Sequence, residues 1–150
     1  DDKVGIANCI TGLKVLAGEA EKAGVTLVFE MLNSFDHKDY QADHSVYGFE
    51  VVRGVKSKAL KAVYDIYHMH RMGESVIDDI VKNLRLIQHL HVAESPRRTL
   101  PTEPGEIDYR KIVQAVQKAG YKGFWGLEFV PTGDPLDEIE RTVKLFRLFV

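Results

Sequence analysis

Glu30, Asp65, His91 and Glu128 each stand late in a short, mostly apolar run: VTLVFEML (25–32), KAVYDIYHM (61–69), LIQHLHVAE (86–94) and GFWGLEFV (123–130). Three carboxylates and an imidazole, with no thiolate among them, are a donor set for a hard-to-borderline divalent cation, Mn2+ or Mg2+, with Co2+ also suited. Three carboxylates gathered without a cation would repel and raise one another's pKa, which is the physical reason to expect an ion. A single strand-end carboxylate is more often a solvated edge or half of an ion pair. Four at equivalent places in four successive runs favour the metal reading.

The elements that must position them alternate regularly. Ala7, Ile10, Leu13, Leu16, Ala17 and Ala20 recur at helical spacing over 4–23, and Gly24 follows as a C-terminal cap. Further helices are expected over 46–56, over 75–84 with a Val76, Ile77, Ile80, Val81, Leu84 stripe, over 109–119, and from Pro135 to Val150. The apolar runs between them read as strands buried on both faces. Residues two apart share a face, so Glu30, Asp65, His91 and Glu128 lie opposite the large apolar residues Leu27, Phe29, Tyr64, Ile66, Leu90, Val92, Trp125, Leu127 and Phe129. One helix followed by four strand–helix units is the pattern of a parallel α/β sheet. Each unit is about an eighth of a TIM-type (β/α) barrel of about 250 residues; a free-standing four-stranded, doubly wound domain is the rival. Both build active sites at late strand positions.

Composition narrows the class. The 150 residues are 45% hydrophobic and 28% charged, ordinary for a globular chain and unlike a disordered or collagen-like one. The single cysteine, Cys9, cannot form an internal bridge, which points to a reducing, cytoplasmic setting. A net charge of −2 argues against a nucleic-acid or anionic-membrane partner, and no apolar run approaches the roughly 20 residues of a bilayer span. The chain opens on Asp1-Asp2 and on a helix with no strand before it. The expectation is therefore the C-terminal half of one barrel domain (1–150), completed by an N-terminal half or by a second copy in a homodimer.

Five pieces carry a resemblance: FEMLNSFDHKDY (29–40), VYDIYHMHRM (63–72), IQHLHVAESPRR (87–98), PGEIDY (104–109) and GYKGFWGLEFVP (120–131). In this order they resemble the hydroxypyruvate isomerase family of the sugar isomerase/epimerase TIM barrels. The resemblance implies that Glu30, Asp65, His91 and Glu128 hold the metal and that Glu30 and Glu128 are also the acid/base pair. It further implies that His68 and a loop arginine contact substrate. Spacing from His91 favours Arg97, whereas alignment on Pro96 favours Arg98. Asn33 is either a turn residue or a pocket-lining one. The implied reaction interconverts hydroxypyruvate and tartronate semialdehyde, or related hydroxy-carbonyl compounds, by proton transfer through an enediolate. The alternatives are a ketose 3-epimerase and a non-catalytic half-barrel that keeps the metal site. A multi-zinc phosphodiesterase would need more histidine ligands and a basic face.

Other residues have plainer readings. His37, His44 and His70 are expected in solvated or supporting roles, His89 as a hydrogen-bond partner that orients His91, and Trp125 and Phe129 as core.

Overall fold

In a computed structural model, which describes residues 1–150, the chain runs α1 (Asp2–Ala23), β1 (Leu27–Glu30), α2 (Ser45–Val55), β2 (Leu60–Asp65), α3 (Ile66–Arg71), α4 (Val76–Asn83), a 3-10 turn (Leu84–Leu86), β3 (Ile87–Val92), α5 (Tyr109–Lys118), β4 (Phe124–Leu127) and α6 (Pro135–Arg147). The strands form one sheet in the order β1-β2-β3-β4, every pair parallel. Helix ends follow local chemistry. Asp1, Asp108 and Asp134 cap α1, α5 and α6 through their carboxylates, which satisfies amide donors that no helical carbonyl reaches. Gly24 closes α1 at φ 67°, a left-handed conformation that costs glycine little.

One side of the sheet is covered. Leu60, Ala62, Tyr64, Leu90 and Val92 are fully buried and join Phe49, Val52, Ile80, Ile112, Val113 and Val116 from the helices in the main core. Trp125 and Leu127 pack against this cluster half-buried, and Phe129 is also half-buried. The other face is open: Val28 is 44% and Phe124 74% exposed. The site residues line this open face.

The second strand is shorter than the apolar run suggests. After Asp65 the backbone turns into α3, so Ile66, Tyr67, His68 and Met69 are helical instead of extended. All four are buried, and a run buried on every side carries no period by which to separate helix from strand. The stop signal is Asp65 itself, whose Oδ1 accepts from the His68 N–H at 3.0 Å as the helix cap. The other three strands are also shorter than their apolar runs, and the last helix ends at Arg147.

Candidate metal and acid–base site

Strand register staggers the four candidate ligands. Glu30 pairs with Val63, whereas Asp65 pairs with His91 and His91 with Gly126. Glu128 follows β4, held by its N–H on the Val92 carbonyl at 3.2 Å. The ligating atoms of Glu30, Asp65, His91 and Glu128 all lie within 4.8 Å of one another. Donors about 2.1 Å from a shared ion stand at most about 4 Å apart, so small side-chain adjustments complete a chelate and the donor set fits a divalent cation. His91 Nδ1 is the hub, 3.0 Å from Glu30 Oε1, 2.6 Å from Glu128 Oε2 and 3.8 Å from Asp65 Oδ2.

His91 reaches across β4 because residue 126 is glycine. A Cβ there would overlap His89 Nε2 and come within 2.9 Å of His91 Cδ2. Gly126 is thus a site residue that residue-type reasoning passes over; its signal is a glycine inside a strand. His89 meets His91 edge-on with ring centroids 4.9 Å apart; the expected hydrogen bond between them is absent, and atoms of both rings border the space a Cβ at Gly126 would take.

Of the two arginines in the loop after β3, Arg98 is the one that enters the cluster. Its Nη2 lies 2.9 Å from Asp65 Oδ2 and 2.8 Å from Glu128 Oε2, its Nε donates to the Glu128 carbonyl at 3.1 Å, and its Nη1 meets His68 Nε2. The guanidinium also sits over the Tyr67 ring, 5.1 Å from the centroid, a favourable cation–π placement. Arg97 is exposed. Beneath the loop, the buried Glu94 carboxylate accepts from the backbone N–H groups of Ser95 and Ile107 at 3.0 and 3.1 Å, tying both ends of the segment that carries Arg98. His68 and Asn33 are fully buried. Asn33 lies behind His68, donating its N–H to Nδ1 at 3.2 Å, so in this conformation it touches the site only through that ring. Among the remaining histidines, His70 pairs with Glu106 at 3.0 Å and His44 with Asp43 at 2.7 Å, and His37 packs edge-on against His68.

The electrostatics follow from burial and charge. Burial pushes the Asp65 carboxyl up to about 6, in spite of Arg98 and the His68 N–H. Burial also pushes Glu30 up, but the hydrogen bond and charge of His91 outweigh it and leave the group lowered. His91 moves the opposite way: burial lowers it, while Glu30, Glu128 and Asp65 together raise it above its usual value. Burial first, and Arg98 second, bring His68 down to about 3, so its ring is neutral. Three carboxylates thus converge on an imidazole and a guanidinium in a partly water-excluded mouth.

A putative hydroxypyruvate isomerase from Xenopus laevis is 30% identical over 126 residues, 83% of this chain and 46% of its own length. The hydroxypyruvate isomerase of Escherichia coli K12 is 29% identical over 125 residues, 83% of this chain and 48% of its length. The chain therefore spans about half the length of the curated relatives it matches. Among solved structures, an AP endonuclease of family 2 from Brucella melitensis superimposes with a TM-score of 0.87 at 24% identity, covering 96% of this chain and 55% of that one. D-Psicose 3-epimerase from Clostridium cellulolyticum H10 gives 0.85 at 24%, covering 99% and 57%. The IOLI protein, solved with a zinc atom, gives 0.82 at 18%, covering 100% and 58%. These likenesses show the fold. The family model described as a xylose isomerase-like TIM barrel matches residues 1–148, and the chain belongs to that family.

Proposed function

We propose that this chain carries the metal and acid–base site of an isomerase acting on a small α-hydroxy-carbonyl compound, with hydroxypyruvate and tartronate semialdehyde as the leading pair. The observation that carries the reading is the convergence of Glu30, Asp65, His91 and Glu128 within 4.8 Å at the C-terminal ends of four parallel strands. The similarity to hydroxypyruvate isomerases supports the substrate class, and the zinc in the IOLI structure supports a divalent ion. These four residues would hold Mn2+ or Mg2+, with Co2+ a third option. A divalent ion there supplies Lewis-acid polarisation of a carbonyl oxygen and stabilises negative charge developing on it.

The proton transfer belongs to the chain's own residues. Glu30 and Glu128 flank His91. One carboxylate removes the proton from the hydroxyl-bearing carbon and leaves an enediolate; the same carboxylate, now protonated, returns it to the neighbouring carbon, or the other delivers a proton of its own, while the remaining hydroxyl proton passes to the former carbonyl oxygen. Glu30, held ionised by His91, is suited to the first step. His68 and Arg98 bind substrate oxygens, and the Glu94-tied loop keeps Arg98 in reach. Return of the proton to the same carbon from the other face would instead give a 3-epimerase.

One observation favours a second reading, a binding module without catalysis: Arg98 already bridges Asp65 and Glu128 and supplies a countercharge in place of an ion. The test is Mn2+-supplemented turnover of hydroxypyruvate, tartronate semialdehyde and a ketose, by the chain alone and with a barrel's N-terminal half added, alongside Glu128→Gln. Turnover lost in the variant supports the isomerase. Turnover retained by the variant removes Glu128 from the acid–base pair, and none with any substrate leaves the binding module.

A further inference from the structure

His68 is a buried group whose two ring nitrogens both face donors, a demand that a neutral imidazole meets at only one of them. Nδ1 faces Asn33, whose backbone N–H donates to it at 3.2 Å and whose side-chain Nδ2 stands 2.6 Å away. The Asn33 amide is itself fixed. Its Oδ1 accepts from the Asp36 N–H at 2.9 Å and its Nδ2 donates to Asp36 Oδ2 at 3.0 Å. Turning the amide over would set oxygen against oxygen and N–H against N–H. Asp36 is held in turn by the Tyr67 hydroxyl, which donates to Oδ2 at 2.6 Å. Both Asn33 and His68 are fully buried, so water cannot replace either contact.

A neutral imidazole carries one N–H and one acceptor nitrogen. With two donors aimed at Nδ1, the proton belongs on Nε2. Nε2 faces the Arg98 guanidinium and, at 3.8 Å, Asp65 Oδ2. A proton on Nδ1 would oppose two donors of Asn33, its main-chain N–H at 3.2 Å and, closer, its side-chain Nδ2 at 2.6 Å. A proton on Nε2 opposes only Arg98, a side chain 18% exposed that has the Asp65 and Glu128 carboxylates to donate to instead. We propose that Asn33 is a positioning residue that locks His68 in the Nε2–H tautomer, so that the ring offers the site a hydrogen-bond donor and no base.

The catalytic meaning of this lock rests on the isomerase reading. His68 Nε2–H and the Arg98 N–H groups are then donors sharing one corner beside the metal ligands. A single oxygen with free lone pairs, from a carbonyl, a carboxylate or an enediolate, relieves their mutual opposition by accepting from both. The ring cannot take a proton from carbon, which leaves that step to Glu30 and Glu128. Outer contacts of this kind commonly set the tautomer of a functional histidine.

Two-bond 1H–15N correlation spectra of the 150-residue chain, with its histidines 15N-labelled, test the lock at pH 7.5 with and without Mg2+. The expected result is an unprotonated-type shift for His68 Nδ1 and a protonated-type shift for Nε2. A proton on Nδ1, or averaged shifts from a mixture of tautomers, overturns the proposal. Asn33→Asp keeps the side-chain shape but sets a carboxylate oxygen at Nδ1; it should move the Nδ1 signal to the protonated range. An Nδ1 that stays unprotonated in that variant removes the lock from the Asn33 side chain. If the variant fails to fold, the unmodified chain's spectrum decides alone. Failure of the isomerase reading would appear instead as absent turnover, with these shifts unchanged.

Discussion

Without metal at pH 7.5, Asp65→Asn should make the chain more stable while abolishing its response to Mn2+. Asp65 is 1% exposed, and burial raises its carboxyl from an ordinary 3.8 to about 6. The folded state therefore holds this proton to higher pH than the unfolded state does. Stability from this group is greatest below about pH 4, falls as pH rises through the window from about 4 to about 6, and is at its minimum at pH 7.5. At 1.36 kcal/mol per pKa unit, the ionised carboxylate costs the folded chain up to about 3 kcal/mol. Asparagine removes the charge and keeps an oxygen for the α3 cap that Asp65 now provides. For about 150 residues, 1 kcal/mol moves Tm by roughly 2–4 °C, so the metal-free variant should melt up to about 6–12 °C higher. Mn2+ at about a hundred times its Kd should stabilise the unmodified chain by about 2.7 kcal/mol and the variant hardly at all. Calorimetric or fluorescence melts with and without Mn2+ measure both numbers. A metal-free variant that melts lower would mean that the Arg98 pairing outweighs burial. An Mn2+ shift that survives in the variant would remove Asp65 from the ligand set. Either result refutes the reasoning.

Two further outcomes follow from the same geometry. Gly126→Ala should weaken Mn2+ binding by roughly tenfold or more, read by isothermal titration, because the new methyl overlaps the His89 ring and crowds His91 Cδ2 at 2.9 Å; unchanged affinity would count against His91 as a ligand. Mn2+ affinity should also fall steadily as pH drops from above 6.5 and on below about 6, because His91 is raised above its ordinary 6.5 and Asp65 is raised to about 6 and the ion binds only their deprotonated forms. A flat profile from pH 7.5 to 5 would contradict the proposed ligands.

The alternation of apolar runs with amphipathic helices made the parallel sheet legible from sequence, and strand parity put Glu30, Asp65, His91 and Glu128 on one face. Boundaries were less legible where burial is complete. The run ending YDIYHM contains a strand and a helix, and only Asp65 acting as a cap divides them. Arg97 and Arg98 are equivalent by type and differ only through backbone: Arg98 takes φ 54° and turns inward. Residue type does not mark Glu94 or Gly126 as site residues, because one acts through a loop's main chain and the other through the side chain it lacks; only the glycine's place inside a strand points to Gly126.

What the sequence determined by itself is the set of chemical types, their order and the face each occupies, since those depend on local period and composition. Tertiary structure decided the stagger that draws the four candidate ligands to one point, the arginine that joins them and the direction from which Asn33 approaches His68. Those outcomes depend on register and loop paths, which arise from contacts between residues far apart in the chain, such as Asn33 with His68 or Glu30 with His91.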